Sequence, residues 1–220
     1  PEYSFGSWQG CLEIFQPWKG GLASHGGAIA LVLAMIWYAR HYGRRNGFDF
    51  FWIIDRLVIT VCFAGALIRL GNLCNSEIYG GPTTLPWGMY FMENVYQHFA
   101  SGAEPLWTEY PCHPTQLYEA LSYLVLGLAL QLTYKYRLEK LYRGEIFGIF
   151  LICLFGVRFL IEFIKNDQVD FEAGMAINMG QILSIPFILA GVVILIYSFI
   201  RRKPACSDAY LKADGKKKQA

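Results

Sequence analysis

Between Arg69 and Gly80 the chain sets an arginine, two asparagines and a glutamate (Arg69, Asn72, Asn75, Glu77) directly behind a long apolar run. A charged side chain inside a membrane span costs about 2.5–3.5 kcal/mol at its centre and less near its end. Such a residue therefore calls for a partner or a task. Similar groups open or close other apolar runs: His25 before Gly26 and Gly27, then His113, Gln116, Tyr118 and Glu119, then Arg158 and Glu162 one helical turn apart. Two arginines facing one cavity suit a phosphate, because guanidinium binds its oxygens bidentately. Histidine and glutamate move protons near neutral pH. Together they point to metal-free chemistry on a phospholipid head group.

The elements that must carry these residues are apolar helices. Of the 220 residues 55% are hydrophobic and 16% charged, against about 25% charged in an ordinary soluble domain. Ala173–Ile200 contains no charge at all, and about 20 apolar residues suffice to span a bilayer. An all-α polytopic fold follows, since lipid leaves no water to satisfy an open backbone. Five spans are expected, at about residues 22–39, 50–70, 114–136, 145–164 and 176–200. Residues 1–21 read as a periplasmic loop. Residues 71–113, rich in proline and aromatics, read as a small ordered cap. Residues 201–220 read as a basic, mobile cytoplasmic tail.

Lysine and arginine set the orientation. Arg40, Arg44 and Arg45, then Lys135, Arg137, Lys140 and Arg143, then the Arg201–Lys203 run and the lysines beyond it fall on one side. The positive-inside rule makes that side cytoplasmic. His25, Arg69, His113, Gln116, Glu119, Arg158 and Glu162 then converge on the outer leaflet. Asp55 and Arg56 fall at the opposite end and read as a structural interfacial pair. Glu145 reads as an acid suited to a helix start, and Trp37, Trp52 and Trp87 as interface anchors.

Other classes are weakly supported. A net charge of +2 does not suit nucleic acid. The six cysteines show no C-x-x-C pair and no histidine at zinc-ligand spacing, so no metal or cofactor is expected. Cys74 and Cys112 share one extramembrane segment and could bridge there. There is no serine-nucleophile elbow, no H-E-x-x-H and no P-loop. A transporter or other lipid-handling protein remains the rival. It would spread polar groups through both leaflets and break helices at mid-depth.

Several motifs resemble one family. Arg69, Gly71, Asn72, Asn75, Glu77 and Gly80 match its R-x-G-N-x-x-N-x-E-x-x-G signature. His25-Gly26-Gly27 matches its H-G-G. His113–Glu119 matches its H-P-S-Q-L-Y-E with Thr115 for serine. Arg158 and Glu162 match its R-x-x-x-E, and Met179–Pro186 matches M-G-Q-I-L-S-I-P. The chain in these respects resembles the prolipoprotein diacylglyceryl transferases of bacterial inner membranes. The resemblance implies transfer of the diacylglyceryl group of phosphatidylglycerol to the lipobox cysteine thiol of a prolipoprotein signal peptide, at the outer leaflet, with no cofactor. It implies that Arg69 and Arg158 hold the phosphate and that Glu77 and Glu162 orient them. His25, or else His113, takes the thiol proton. Asn72 and Asn75 bond the lipid's glycerol or ester oxygens, while Asn178 and Gln181 close the cavity. The family has about two further spans ahead of its H-G-G helix, so a truncated and inactive homologue is a further reading. The family also often carries a tyrosine one turn before the late arginine. Leu154 stands there, so that role is either lost or supplied by Tyr118 or Tyr123.

Overall fold

The computed structural model describes residues 24–165 and 178–205. The chain divides into two compact units, Pro1–Asn46 and Gly47–Ala220. The first carries helix α1 (Ser24–His41) and the short α2 (Gly43–Asn46). The second carries α3 (Phe50–Cys74), α4 (Val95–Ser101), α5 (Thr115–Arg137), α6 (Glu145–Ile161) and α7 (Met179–Arg201), with short 3-10 turns closing α5 and α6. Among the described residues there are isolated β-bridges and no strands.

Among the described residues four helices are long and apolar enough to cross a membrane: Phe50–Cys74, Thr115–Lys140, Glu145–Ile164 and Gly180–Arg201. Five spans were expected; α1 is not among these four. Its described residues begin with Ser24 and His25 and end with Arg40 and His41, which lowers their mean hydropathy. No more than 33% of the best apolar window of any span is buried. Leu67, Ile68, Val125, Leu160, Val193 and Ile200 are all well exposed. Such faces belong in lipid, and the chain is a multi-pass membrane protein.

Small residues set the closest approaches between spans, as is usual where lipid supplies no hydrophobic drive for association. A Cβ added at Gly148 of α6 would lie 3.0 Å from the Gly191 carbonyl of α7, and one at Gly191 would lie 2.9 Å from the Gly148 carbonyl. Ala66 of α3 packs with Ala120 and Tyr123 of α5, and Leu154 of α6 lies against them.

At one end of the bundle charge is used for capping. Asp55, 1% exposed, accepts hydrogen bonds from Gly144 N at 2.6 Å and Phe147 N at 2.8 Å. A side chain of α3 thus supplies the N-terminal cap of α6 and faces the positive end of its dipole. Arg56 donates to Trp52 O at 2.5 Å and Ala205 O at 3.3 Å, and lies 3.5 Å from the Trp52 ring centroid. The expected Asp55–Arg56 pair is therefore structural, but each member holds backbone rather than the other. Glu145 accepts from Tyr142 N at 3.0 Å. Residues 203–205, expected to begin a mobile tail, instead pair with residues 141–143: Arg143 N to Lys203 O at 2.9 Å and Ala205 N to Leu141 O at 2.8 Å. The rest of that tail, residues 1–21 and most of the 165–175 loop lie outside the described residues.

The segment joining α3 to α5 is ordered, as its aromatic content suggests. Phe91, 2% exposed, stacks on Tyr79 at 4.7 Å. Backbone bonds tie Met89 to Cys112, Phe91 to Thr108 and Glu93 to Leu106. Cys74 and Cys112 are both free thiols, so the bridge considered between them is not formed.

Candidate active site

At the opposite end of the bundle, three spans bring charge together. Arg69 leaves the last turns of α3 and meets Glu119 of α5, Nε to Oε2, at 2.5 Å. Lys165, just past α6, reaches Glu119 Oε1 at 3.0 Å and Glu162 Oε2 at 3.4 Å. Glu119 is fully buried and the Lys165 side chain is 3% exposed. Arg158 of α6 and Arg69 of α3 both lie within electrostatic reach of Tyr123 on α5. Leu154 of α6 packs against Tyr123.

The formal charges do not cancel. Three cations (Arg69, Arg158, Lys165) face two carboxylates (Glu119, Glu162). Among the described residues the surplus within this set is one positive charge, while the Glu77 carboxylate bonds Asn72 and the Tyr96 phenol instead. Arg158 Nε is moreover buried without a hydrogen-bond partner among the described residues, a costly state for a cationic donor. A bound anion with a single charge would satisfy both the orphan donor and the charge imbalance.

The 76–81 turn is held against this cluster under constraint. Ser76 and Ile78 adopt φ of 54° and 61°, a region costly for a β-branched residue. Two buried side chains from the first turn of α5 hold it there. Thr115 Oγ1 donates to Ile78 O at 2.9 Å, and Gln116 Nε2 donates to Glu77 O at 2.6 Å. Gly80 then passes between two chains, its N bonded to His113 O at 2.8 Å. A Cβ there would sit 2.5 Å from Ile164 O and 2.8 Å from His113 Cβ. Gly180 plays the same part in α7. A Cβ would lie 2.5 Å from the Glu162 carboxyl carbon, so its absence seats that carboxylate on the first turn of the helix.

Other residues singled out in the sequence fall around this core. Glu77 does not orient Arg69, a task taken by Glu119. Its carboxylate accepts instead from Asn72 Nδ2 at 3.0 Å and from the Tyr96 phenol. That bond and the nearby negative charge push the Tyr96 phenol up from its usual range. Glu162 meets Lys165. Asn75 is exposed, and its backbone N caps α3 onto Gly71 O at 3.0 Å. His113 Nδ1 lies 3.3 Å from the Tyr118 hydroxyl, which also accepts from Trp87 Nε1 at 2.8 Å. Asn178 caps α7, its N donating to Gln181 Oε1 at 3.2 Å, and Gln181 Nε2 reaches Phe159 O at 3.5 Å. His25, Gly26 and Gly27 occupy the first turn of α1, in the other unit. The surroundings of the His25 side chain lie outside the described residues.

Sequence reading missed Lys165 and Tyr96. Lys165 stands just past α6 and its closing turn. Its spacing three residues after Glu162 was the available signal, since i,i+3 neighbours share a helical face. Tyr96 had no such signal, because only the folded cap brings it to Glu77.

Comparison with known proteins bears on what this cluster serves. The family model for prolipoprotein diacylglyceryl transferase matches residues 2–197. A Porphyromonas gingivalis protein named phosphatidylglycerol–prolipoprotein diacylglyceryl transferase is 45% identical over 190 residues, covering 84% of this chain and 64% of the relative. Proteins of the same name from Tolumonas auensis and Bacteroides fragilis are 41% and 39% identical over 187 and 177 residues, covering 85% and 80% of this chain. The chain spans 66% and 58% of those two relatives. With the model matched across nearly its whole length, the chain belongs to the prolipoprotein diacylglyceryl transferase family.

Proposed function

We infer that this chain carries the phosphatidylglycerol-binding and transfer site of a prolipoprotein diacylglyceryl transferase. The observation that carries the reading is the convergence of Arg69 and Arg158, from separate spans, on Tyr123 with one positive charge in surplus. A phosphodiester carries one negative charge. It would fill the unpartnered Arg158 Nε and balance the cluster.

In the reaction, the thiol of the lipobox cysteine loses its proton, and sulfur attacks the diacylglyceryl methylene carbon that bears the phosphate oxygen. The C–S bond forms as that C–O bond breaks. Glycerol phosphate leaves with the electron pair, gaining a second negative charge. Arg69 and Arg158 favour this transition state because charge grows on the group they hold. A thiol has a pKa near 8.5, so a base is needed at neutral pH. His25 is the first choice and His113 the second. Glu119 and Glu162, bridged by Lys165, hold the cationic groups in place. Asn72, Asn75, Gln116, Tyr118 and Gln181 bind the lipid, with Asn178, Gly26, Gly27 and Gly80 assigned to the same task. By the positive-inside rule the site faces the outer leaflet of the inner membrane, where a prolipoprotein signal peptide presents its cysteine.

The transporter reading fits less well. The charges at the far end (Asp55, Arg56, Arg143) are spent on backbone caps and a local ion pair. They do not continue a polar path. The deciding experiment incubates the purified full chain with phosphatidylglycerol and a lipobox peptide. Thioether-linked diacylglyceryl peptide is expected; its absence, with the protein folded and inserted, overturns the assignment.

A further inference from the structure

Glu77 is left without the task that its place in the signature suggested. Arg69 is held by Glu119, and the Glu77 carboxylate turns to Asn72 and Tyr96. Its position is informative. Asn72 follows Arg69 at i+3 on α3, so the two side chains are neighbours about 5–6 Å apart at Cβ. Asn72 in turn bonds Glu77. Asn72 therefore ties the carboxylate and the phenol to the face of α3 that carries Arg69, the arginine assigned to phosphate. In a glycerol phosphodiester head group, the terminal hydroxyls lie four and five bonds from phosphorus, a reach comparable with about 5 Å, one turn of helix.

The chemistry of the pair suits a vicinal diol. Each Glu77 oxygen has one protein partner and can accept a further hydrogen bond. The Tyr96 oxygen donates to Glu77 and keeps lone pairs for an incoming hydroxyl. Its pKa is raised by the bond to Glu77 and the carboxylate charge, so the phenol remains a protonated donor through neutral and mildly alkaline pH. Tyr96 is also the contact through which α4 meets this cluster. No residue of α4 is buried, and Tyr96 is 73% exposed. The phenol is therefore open to a head group arriving from the water side.

We propose that Glu77 and Tyr96 form a head-group selector that reads the two hydroxyls of the terminal glycerol, next to the Arg69–Arg158 phosphate site. This rests on the proposed function and adds its donor specificity. A carboxylate and a phenol with spare acceptor sites favour a neutral polyol. Donors whose head groups lack hydroxyls leave Glu77 desolvated without compensation, which is how a polar site rejects an apolar analogue.

The test uses the purified full chain in liposomes, with phosphatidylglycerol or phosphatidyl-1-propanol as donor. Both carry the same phosphodiester, but the second has no hydroxyl. The kcat/KM ratio for thioether formation should favour phosphatidylglycerol at least about tenfold, the scale of one hydrogen bond to a charged group. Tyr96→Phe deletes one exposed oxygen and should lower that ratio at least about threefold, and Glu77→Gln should bring it near unity. Equal use of both donors by the unaltered protein overturns the selector while leaving the transfer function standing. A preference that survives in both Tyr96→Phe and Glu77→Gln also overturns it. Transfer from neither donor removes the function, and the selector with it.

Discussion

The two ends of the α3–α7 bundle use charge in opposite ways. Around Asp55, the charges that enter the bundle hold fixed structural partners. Asp55 caps α6, Arg56 holds the Trp52 and Ala205 carbonyls, and Arg143 bridges Asp49, Gly47 and Pro204. Around Arg69, charge is in surplus and one guanidinium nitrogen has no partner. A buried ion cluster adds little net stability over apolar packing. The unbalanced end is thus poorly explained as architecture and well explained as a site awaiting an anion. The balanced end shows what this sequence does with charge when structure is the purpose.

The sharpest way to break this contrast is to remove the proposed phosphate ligands. Arg69→Ala and Arg158→Ala should each lower thioether formation by at least about 10²–10³-fold, with insertion and folding retained. Normal turnover in either would leave the surplus charge without a role. Next comes Lys165→Met, which takes from Glu162 its ion-pair partner and leaves Glu119 to Arg69 alone. A loss of about 3–5 kcal/mol is expected, read as a large drop in thermal midpoint, and phosphatidylglycerol should restore little of it. At the other end, Asp55→Asn keeps the shape but weakens the cap of α6. It should cost about 1–2 kcal/mol while transfer per folded molecule stays within about twofold. A severe loss of transfer there would erase the distinction between the ends. The smallest effect is expected at the proton acceptor. His25→Gln should slow transfer and recover partly as pH rises toward the thiol's own pKa near 8.5, whereas His113→Gln should not show that recovery if His25 is the base.

The span limits could be read along the chain because uncharged runs bounded by arginine, lysine and proline leave few alternatives. The second to fifth expected spans agree with α3, α5, α6 and α7 to within a few residues. The convergence of Arg69, Glu119 and Glu162 also followed once each was placed near the same end of its span. What could not be read was the pairing within the cluster. Glu77 and Glu119 are both carboxylates near Arg69. Only the rotation of α5 against α3, set where Ala66 packs on Ala120 and Tyr123, puts Glu119 on the guanidinium and leaves Glu77 to Asn72 and Tyr96.

Residue order and composition alone determined that this protein spans a membrane on apolar helices, with ionisable groups gathered at one end. Burying a charge in lipid is costly enough that its position along a span carries information. Tertiary structure decided which charges neutralise one another and which remain. Lys165 enters the cluster because the chain beyond α6 folds back beside Gly80. Ion pairing acts over a few ångströms, a distance that depends on how helices pack rather than on where their residues stand in the chain.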